Sequence, residues 1–371
     1  MTEGHAVTDT LASAAPHAAT AAKEPFLFLY ITHKCSLRCE HCYMGDRLDN
    51  EIRMSPGKVE EILSGLRVAY GQYKVYLLGG EPTTHPELDA ILDVCKAQGY
   101  KTVITSNGLI PSRVWPVLDD RLDSFSFSMD GAQQATHESM RGPNTWLPLM
   151  HSITRAVASG FQTRAIFTVT TENHGDVFAA IDLADRVGLE MLSFHYFTPT
   201  GLGKDKPHLQ IPPAQWMELC RGIRRHAADR HVRVFYPPAF ARPDQLAGIS
   251  AQGYRGCTAR NLERLAIFPD NRVYICSAFF DTDLHYGTFR DGAVIPRLHG
   301  GVSELTLVSK VAPSCRTCAH ASTCGGGCAA YDHLQRTLVS SDCDQETIPI
   351  CPLWSMPAEP AQTAHRLVDL R

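Results

Sequence analysis

The sequence predicts an α/β protein: a partial barrel of six parallel strand–helix units, (β/α)6, followed by a smaller cysteine-rich domain. Three observations carry this expectation. Six apolar or β-branched runs alternate with helical periodicity between residues 24 and 230. The polar motifs of that half fall at the C-terminal ends of these runs, where ligands collect in parallel sheets. Beyond about residue 250 the periodicity fades and cysteine and glycine take over.

FLFLYIT (Phe26–Thr32) is a continuous apolar run, as expected of a strand buried on both faces. Ser55-Pro56 opens a helix with Pro at its first position and Val59, Ile62, Leu63 and Leu66 along one face. KVYLL (Lys74–Leu78) is the second strand and Pro86–Ala97 the next helix. KTVIT (Lys101–Thr105), SFSFSM (Ser124–Met129), TRAIFTVT (Thr163–Thr170) and MLSFHYF (Met191–Phe197) complete the six strands. Helical stretches near 145–158 and 173–186 alternate with them. Such units join parallel strands by right-handed crossovers. Eight would close a TIM barrel, whereas six leave a TIM-like barrel open on one side. A helix around Trp216–Ala228 follows, and His231–Tyr236 begins a bridge (231–256) broken by Pro237, Pro238 and Pro243. The cysteine-rich domain is expected over 257–356, with loose tails at 1–23 and 357–371.

At 371 residues and 44% hydrophobic, the chain can bury one large core and a smaller one. A net charge of −4 carries no basic excess, which argues against a nucleic-acid groove or an anionic membrane surface. No apolar run approaches a bilayer span. Thirteen cysteines without a secretory h-region point to a reducing cytoplasm, where thiols serve metals rather than disulfides.

Cys35, Cys39 and Cys42 form a C-x3-C-x2-C triplet in THKCSLRCEHCY. A [4Fe–4S] cube needs one ligand on each of four irons, so three thiolates leave one iron open to a small molecule. Part of a zinc knuckle, or half of a disulfide framework, are the plainer readings of the triplet alone. Gly79-Gly80-Glu81-Pro82 follows the second strand. Its glycines permit close backbone approach to a ligand and Glu81 offers a carboxylate to an ammonium group; the alternative is an ordinary tight turn. Thr105-Ser106-Asn107-Gly108 ends the third strand, and Ser128-x-Asp130-Gly131 ends the fourth, before His137 and Arg141. Arg141 is suited to a ligand carboxylate, against the plainer reading of an exposed Asp130–Arg141 ion pair. His195, on the sixth strand, either faces the barrel mouth as a ligand contact or proton acceptor, or is a core histidine with a backbone partner. His33 has the same two readings.

Cys315-x2-Cys318-x5-Cys324-x3-Cys328 is the second strong signal, with three glycines at 325–327 that allow a tight turn. A four-cysteine zinc ribbon would explain that run alone, but not Cys257, Cys276, Cys343 and Cys351 around it. Cys95 and Cys220 lie in helical stretches and read as small buried hydrophobes.

The C-x3-C-x2-C loop followed by Tyr43, with GGEP after it, resembles the radical S-adenosylmethionine (radical SAM) superfamily. The C-terminal array resembles the SPASM extension of those enzymes. The resemblance implies a [4Fe–4S] cluster on Cys35, Cys39 and Cys42 whose open iron chelates SAM. Electron transfer then splits a carbon–sulfur bond, and the 5′-deoxyadenosyl radical takes a hydrogen atom from substrate. Tyr43, Gly79, Gly80, Glu81, Ser106, Asn107, Ser128, Asp130 and Arg141 are the implied SAM-binding residues, with the GGEP element at the amino group.

Two auxiliary iron–sulfur clusters are implied as well. Cys257, Cys276 and Cys328 would bind the first; Cys315, Cys318, Cys324 and Cys351 the second, with Cys343 as the alternative ligand or a hydrogen-atom donor. Cys343 and His195 are thus the candidate catalytic residues. Asn271 stands where many members have glycine, and Asn tolerates a left-handed turn. Residues 261–264 offer no thiol as a fourth ligand for the first auxiliary cluster. The implied activity is maturation of a ribosomally made peptide by cross-linking, oxidation or decarboxylation. The alternative is oxidation or epimerisation of a sugar or aminocyclitol, slightly favoured by a 23-residue lead too short for a fused recognition domain. Implied partners are an electron donor such as flavodoxin or ferredoxin and a separate peptide-recognition protein.

Overall fold

The computed structural model describes residues 25–71, 73–237, 239–242, 245, 259, 263–299, 302–303, 328, 330 and 348–349. The six expected strands are β1 (Phe26–Thr32), β2 (Lys74–Gly79), β3 (Thr102–Ser106), β4 (Ser124–Ser128), β5 (Gln162–Val169) and β6 (Met191–Tyr196). They pair in parallel and in sequence order. The helices are α1 (Pro56–Tyr70), α2 (Leu88–Ala97), α3 (Trp115–Arg121), α4 (Gln134–Arg141), α5 (Trp146–Ala158), α6 (Val177–Arg186) and α7 (Pro213–Ala227).

Strand alternation creates two faces. On the helix side, Leu27, Leu29, Ile31, Val75 and Leu77 are fully buried, as are Val59, Ile62, Leu63 and Leu66 of α1. Ser55 caps α1 by accepting the Lys58 amide, with Pro56 at the first helical position. Phe26, Phe28 and Tyr30 point the other way, into the barrel lumen. Helices α3 and α4 were not anticipated. In α4 the buried set is His137, Met140 and Arg141, so a polar site rather than an apolar stripe fixes that helix.

The sheet grows beyond both expected edges. β7 (Arg233–Phe235), from the expected bridge, pairs in parallel with β6. β8 (Phe240–Ala241) pairs with Ile348–Pro349 in a separate two-stranded sheet. β9 (Arg264–Ile267) pairs in parallel with β1, and β10 (Arg272–Tyr274), β11 (Gly287–Arg290) and β12 (Ala293–Pro296) continue antiparallel from it. Among the described residues the result is an 11-stranded sheet from β12 to β7. The region expected as a distinct domain therefore begins on the barrel's own sheet. Pairing with β9 satisfies the β1 backbone groups that an open barrel would leave as an edge. The β11–β12 turn rests on α1, where a Cβ at Gly65 would meet the Gly292 carbonyl at 2.0 Å.

Asn271 takes the left-handed conformation expected of it, φ +67°, between β9 and β10. Cys95 and Cys220 are buried as expected, and burial pushes the Cys95 thiol up to about 12. Cys276 and Cys328 are also buried. Cys257, Cys315, Cys318, Cys324, Cys343 and Cys351 lie outside the described residues.

Candidate active site

After β1 the chain leaves the C-terminal edge of the sheet and forms the three-cysteine loop, closed by the Cys42 amide donating to the Cys39 carbonyl at 3.1 Å. The glycines of GGEP serve this loop. A Cβ at Gly79 would lie 2.2 Å from the Thr32 carbonyl oxygen, and one at Gly80 would lie 2.4 Å from that of Lys34. The Gly80 and Glu81 amides donate to those same carbonyls at 2.9 and 2.8 Å. The close approach expected toward a ligand is thus an approach to the loop backbone. Gly201 (φ +57°) does the same from β6, with a Cβ placed 2.4 Å from the Cys42 carbonyl oxygen.

The thiols receive N–H donors: the Leu37 amide (3.4 Å) and Asn107 Nδ2 (3.9 Å) reach Cys35 Sγ, and Arg141 Nη1 (3.8 Å) reaches Cys39 Sγ. Burial raises all three thiols, with neighbouring thiols contributing at Cys35, raised to about 11, and Cys42, raised to about 12. They stay protonated at neutral pH until a metal displaces the protons. Among the described residues no three His, Cys, Asp or Glu side chains gather as for a single metal ion. A cube takes each thiolate on a different iron, so the loop fits a cluster on that count.

Glu81 is a brace. Its buried carboxylate accepts from the Thr83 amide (3.2 Å) and hydroxyl (2.7 Å), the Ser106 hydroxyl (3.0 Å) and the Asn107 amide (2.7 Å). Burial raises its pKa and these donors oppose the rise. Three of these donors converge on Oε1 and one reaches Oε2, so the carboxylate expected to meet an ammonium is engaged by the protein and ties β2 to β3. Asn107 is committed as well: its Oδ1 accepts from Leu109 at 2.9 Å while its Nδ2 faces Cys35.

Asp130 and Arg141 do pair, but not as the exposed ion pair of the plainer reading. Asp130 is fully buried, and its Oδ2 accepts from Arg141 Nε at 2.5 Å and His41 Nε2 at 3.1 Å. Its Oδ1 accepts from the Thr168 amide at 2.7 Å. Burial opposes ionisation, yet Arg141 and His41 hold this carboxyl well below the usual carboxylate range. His137 Nδ1 accepts from the Asp130 amide at 3.2 Å, and burial, aided by Arg141, holds its imidazole down to about 4. His41 was not singled out in the sequence. Its position between two cluster cysteines was the available signal. His41 Nδ1 and His137 Nε2 are buried without a hydrogen-bond partner among the described residues. Ser128 sits half-buried at the end of β4, on the lumen face.

Tyr43 is bolted rather than free: its hydroxyl accepts from Tyr30 at 3.1 Å and its ring lies 5.6 Å from Phe280. Tyr30 stacks on Phe268 at 4.1 Å, and Tyr274 and Phe280 complete this aromatic cluster. It joins the loop to the strands after residue 263. His33 takes the structural role, with Nδ1 bonded to Asn50 Oδ1 at 2.7 Å. His195 takes the lumen role. Its neighbours Phe194 and Tyr196 are buried on the helix side, whereas its own surface opens into the barrel, ringed by protein. Desolvation, and then Arg264, hold it down to about 4, so it is neutral at pH 7.

Fold and site together define an α/β enzyme scaffold with a three-cysteine loop at its strand edge. The family model "Radical SAM superfamily" matches residues 29–184. A probable GTP 3′,8-cyclase of Saccharolobus islandicus is 30% identical over 261 residues, 67% of this chain and 82% of that protein. The mycofactocin maturase MftC of Mycobacterium ulcerans is 26% identical over 317 residues, 81% of each chain. The solved structure of Streptococcus suis SuiB bound to S-adenosylmethionine superposes with a TM-score of 0.65 at 18% identity, covering 83% of this chain and 73% of that one. Native anSMEcpe with bound AdoMet gives 0.60 at 16% identity, covering 84% and 96%. The chain belongs to the radical SAM superfamily. No helix among the described residues is long and apolar enough to cross a membrane.

Proposed function

We propose that this radical SAM enzyme modifies a ribosomally made peptide. The observation that carries this reading is the reach of the MftC similarity. It spans 81% of the chain, against 67% for the GTP 3′,8-cyclase. SuiB, whose fold this chain shares, is described bound to its precursor peptide SuiA. The second reading, a small-molecule enzyme acting on a sugar or aminocyclitol, draws support from the similarity to a GTP-cyclising protein.

Cys35, Cys39 and Cys42 would hold the [4Fe–4S] cluster, and the polar strand ends SAM. Bound together, cluster and SAM supply a 5′-deoxyadenosyl radical that removes a hydrogen atom from substrate. Asn107 and Arg141 orient Cys35 and Cys39 through their N–H groups. With Glu81 engaged in these bonds, the SAM ammonium would fall to backbone carbonyls of the Gly79-Gly80 turn. Ser128 and the unpartnered nitrogens of His41 and His137 are the remaining polar contacts. Neutral His195 is the candidate proton acceptor in the lumen. Cys276 and Cys328, with Cys257, Cys315, Cys318, Cys324 and Cys351, would carry two auxiliary clusters in a SPASM arrangement, Cys343 being the alternative ligand. A flavodoxin or ferredoxin would supply electrons, and the enzyme would work in the cytoplasm.

The test is anaerobic reconstitution with SAM, reductant and any short peptide found encoded beside this gene. A mass change in that peptide, lost when Cys35, Cys39 and Cys42 are all replaced by Ala, is expected. An unmodified peptide alongside turnover of a sugar would sink the reading.

A further inference from the structure

We infer that Arg264 holds a substrate carboxylate inside the barrel, with Phe26, Phe28 and Tyr76 packing the apolar group beside it. Arg264 opens β9 in register with Phe26, so the two share the lumen face. Its guanidinium lies 4.3 Å from the centre of the Phe28 ring. The cation therefore stands on the β1–β9 wall of the lumen.

Among the described residues no counter-charge meets it there: Arg264 makes no ion pair, and its Nε is buried without a partner. Arg164 Nε is likewise buried without a hydrogen bond, but Arg164 and Arg233 have Glu190 as a counter-charge, at 3.5 and 2.5 Å. A half-buried guanidinium whose Nε lacks a hydrogen-bond partner would gain one from a ligand anion placed beside it. One unmatched guanidinium balances one charge, in the bidentate geometry of a carboxylate. A polyphosphate would call for several such cations.

The adjoining wall is aromatic and incompletely covered. Phe28 and Tyr76 stack at 5.1 Å, Phe26 meets Tyr76 edge-on at 5.7 Å, and Phe26 is 37% exposed. Its occupant is an aromatic or other apolar side chain near the carboxylate. This inference rests on the lumen being the substrate chamber of the proposed enzyme, but not on the modification made.

The test is equilibrium binding to the reconstituted, SAM-loaded enzyme. The probes are N-acetyl-L-phenylalanine, its neutral amide, N-acetyl-aspartyl-phenylalanine amide and inorganic phosphate. Wild type should favour at least one carboxylate probe over the neutral amide by roughly tenfold or more, as expected for a charged hydrogen-bond partner. The first acid reports a chain terminus and the aspartyl probe a side chain. Arg264→Gln should erase the preference at unchanged iron content and SAM affinity, and Arg264→Lys should keep part of it. Equal binding of acids and amide to wild type would overturn the proposal, as would a preference that survives in Arg264→Gln. Tighter binding of phosphate, or a loss of SAM affinity in Arg264→Gln, would reassign the cation and also overturn it. If Arg264→Gln does not fold, the wild-type comparison and Arg264→Lys decide. Peptide modification is read by mass and does not enter these measurements, so either idea can fail alone.

Discussion

Arg141 reaches Cys39 from a buried ion pair: its Nη1 lies 3.8 Å from the Cys39 sulfur while its Nε is held by Asp130 at 2.5 Å. The sulfur of a proposed cluster ligand is thereby wired to a carboxylate 130 residues into the chain, across the barrel mouth.

Breaking this pair should be expensive. Arg141→Gln leaves Asp130 buried and short of its main counter-charge, for which about 3–5 kcal/mol of stability is the usual loss. Arg141→Lys keeps the charge but cannot serve both partners, and should fall between. Denaturant midpoints rank the variants, and redox titration of the reconstituted cluster should move to lower potential without the N–H donor.

Glu81→Gln tests the brace. The amide retains one acceptor oxygen but opposes an NH2 group to either the Asn107 amide or the Thr83 and Ser106 donors. Leaving such a buried group unsatisfied costs about 1–3 kcal/mol. We expect that loss in urea unfolding, with SAM affinity reduced as a consequence. Full stability with weakened SAM binding would return Glu81 to direct ligand contact.

Gly80→Ala should spoil cluster loading, because its Cβ would lie 2.4 Å from the Lys34 carbonyl oxygen. The backbone must shift at the start of the cysteine loop. Iron retained per chain after reconstitution reads the effect, with Gly57→Ala as the control, since nothing lies within 4 Å there.

Acid should destabilise the fold through His137. Its folded pKa is depressed to about 4 while the unfolded imidazole titrates near its ordinary 6.5. Between those values the unfolded state binds more protons, so stability is full above about 6.5 and drains as pH falls toward 4. The depression corresponds to about 3 kcal/mol at most. Unfolding midpoints measured from pH 7 to 4 should show a slope that His137→Phe reduces.

Local chemistry was legible in the sequence wherever it depends on neighbours in the chain. The six strands lie within one or two residues of their expected bounds because each carries apolar or β-branched residues on the face that the helices bury. The cysteine loop was legible because its thiols lie within eight residues of one another. Helix α4 was not, since its inward side chains are polar and leave no apolar period.

The sequence by itself determined the six central parallel strands of the barrel, the thiol triplet and the left-handed turn at Asn271. Only the tertiary structure decided what the charged residues do. Glu81 is engaged by Ser106 and Asn107, and Asp130 by His41, Arg141 and Thr168, through contacts that no spacing rule encodes. Likewise, nothing local announces that Arg264 will lie over Phe28, because that depends on β9 returning to pair with β1. Periodicity is set by each segment's own burial, whereas the partner of a buried charge is set by whichever distant strand closes over it.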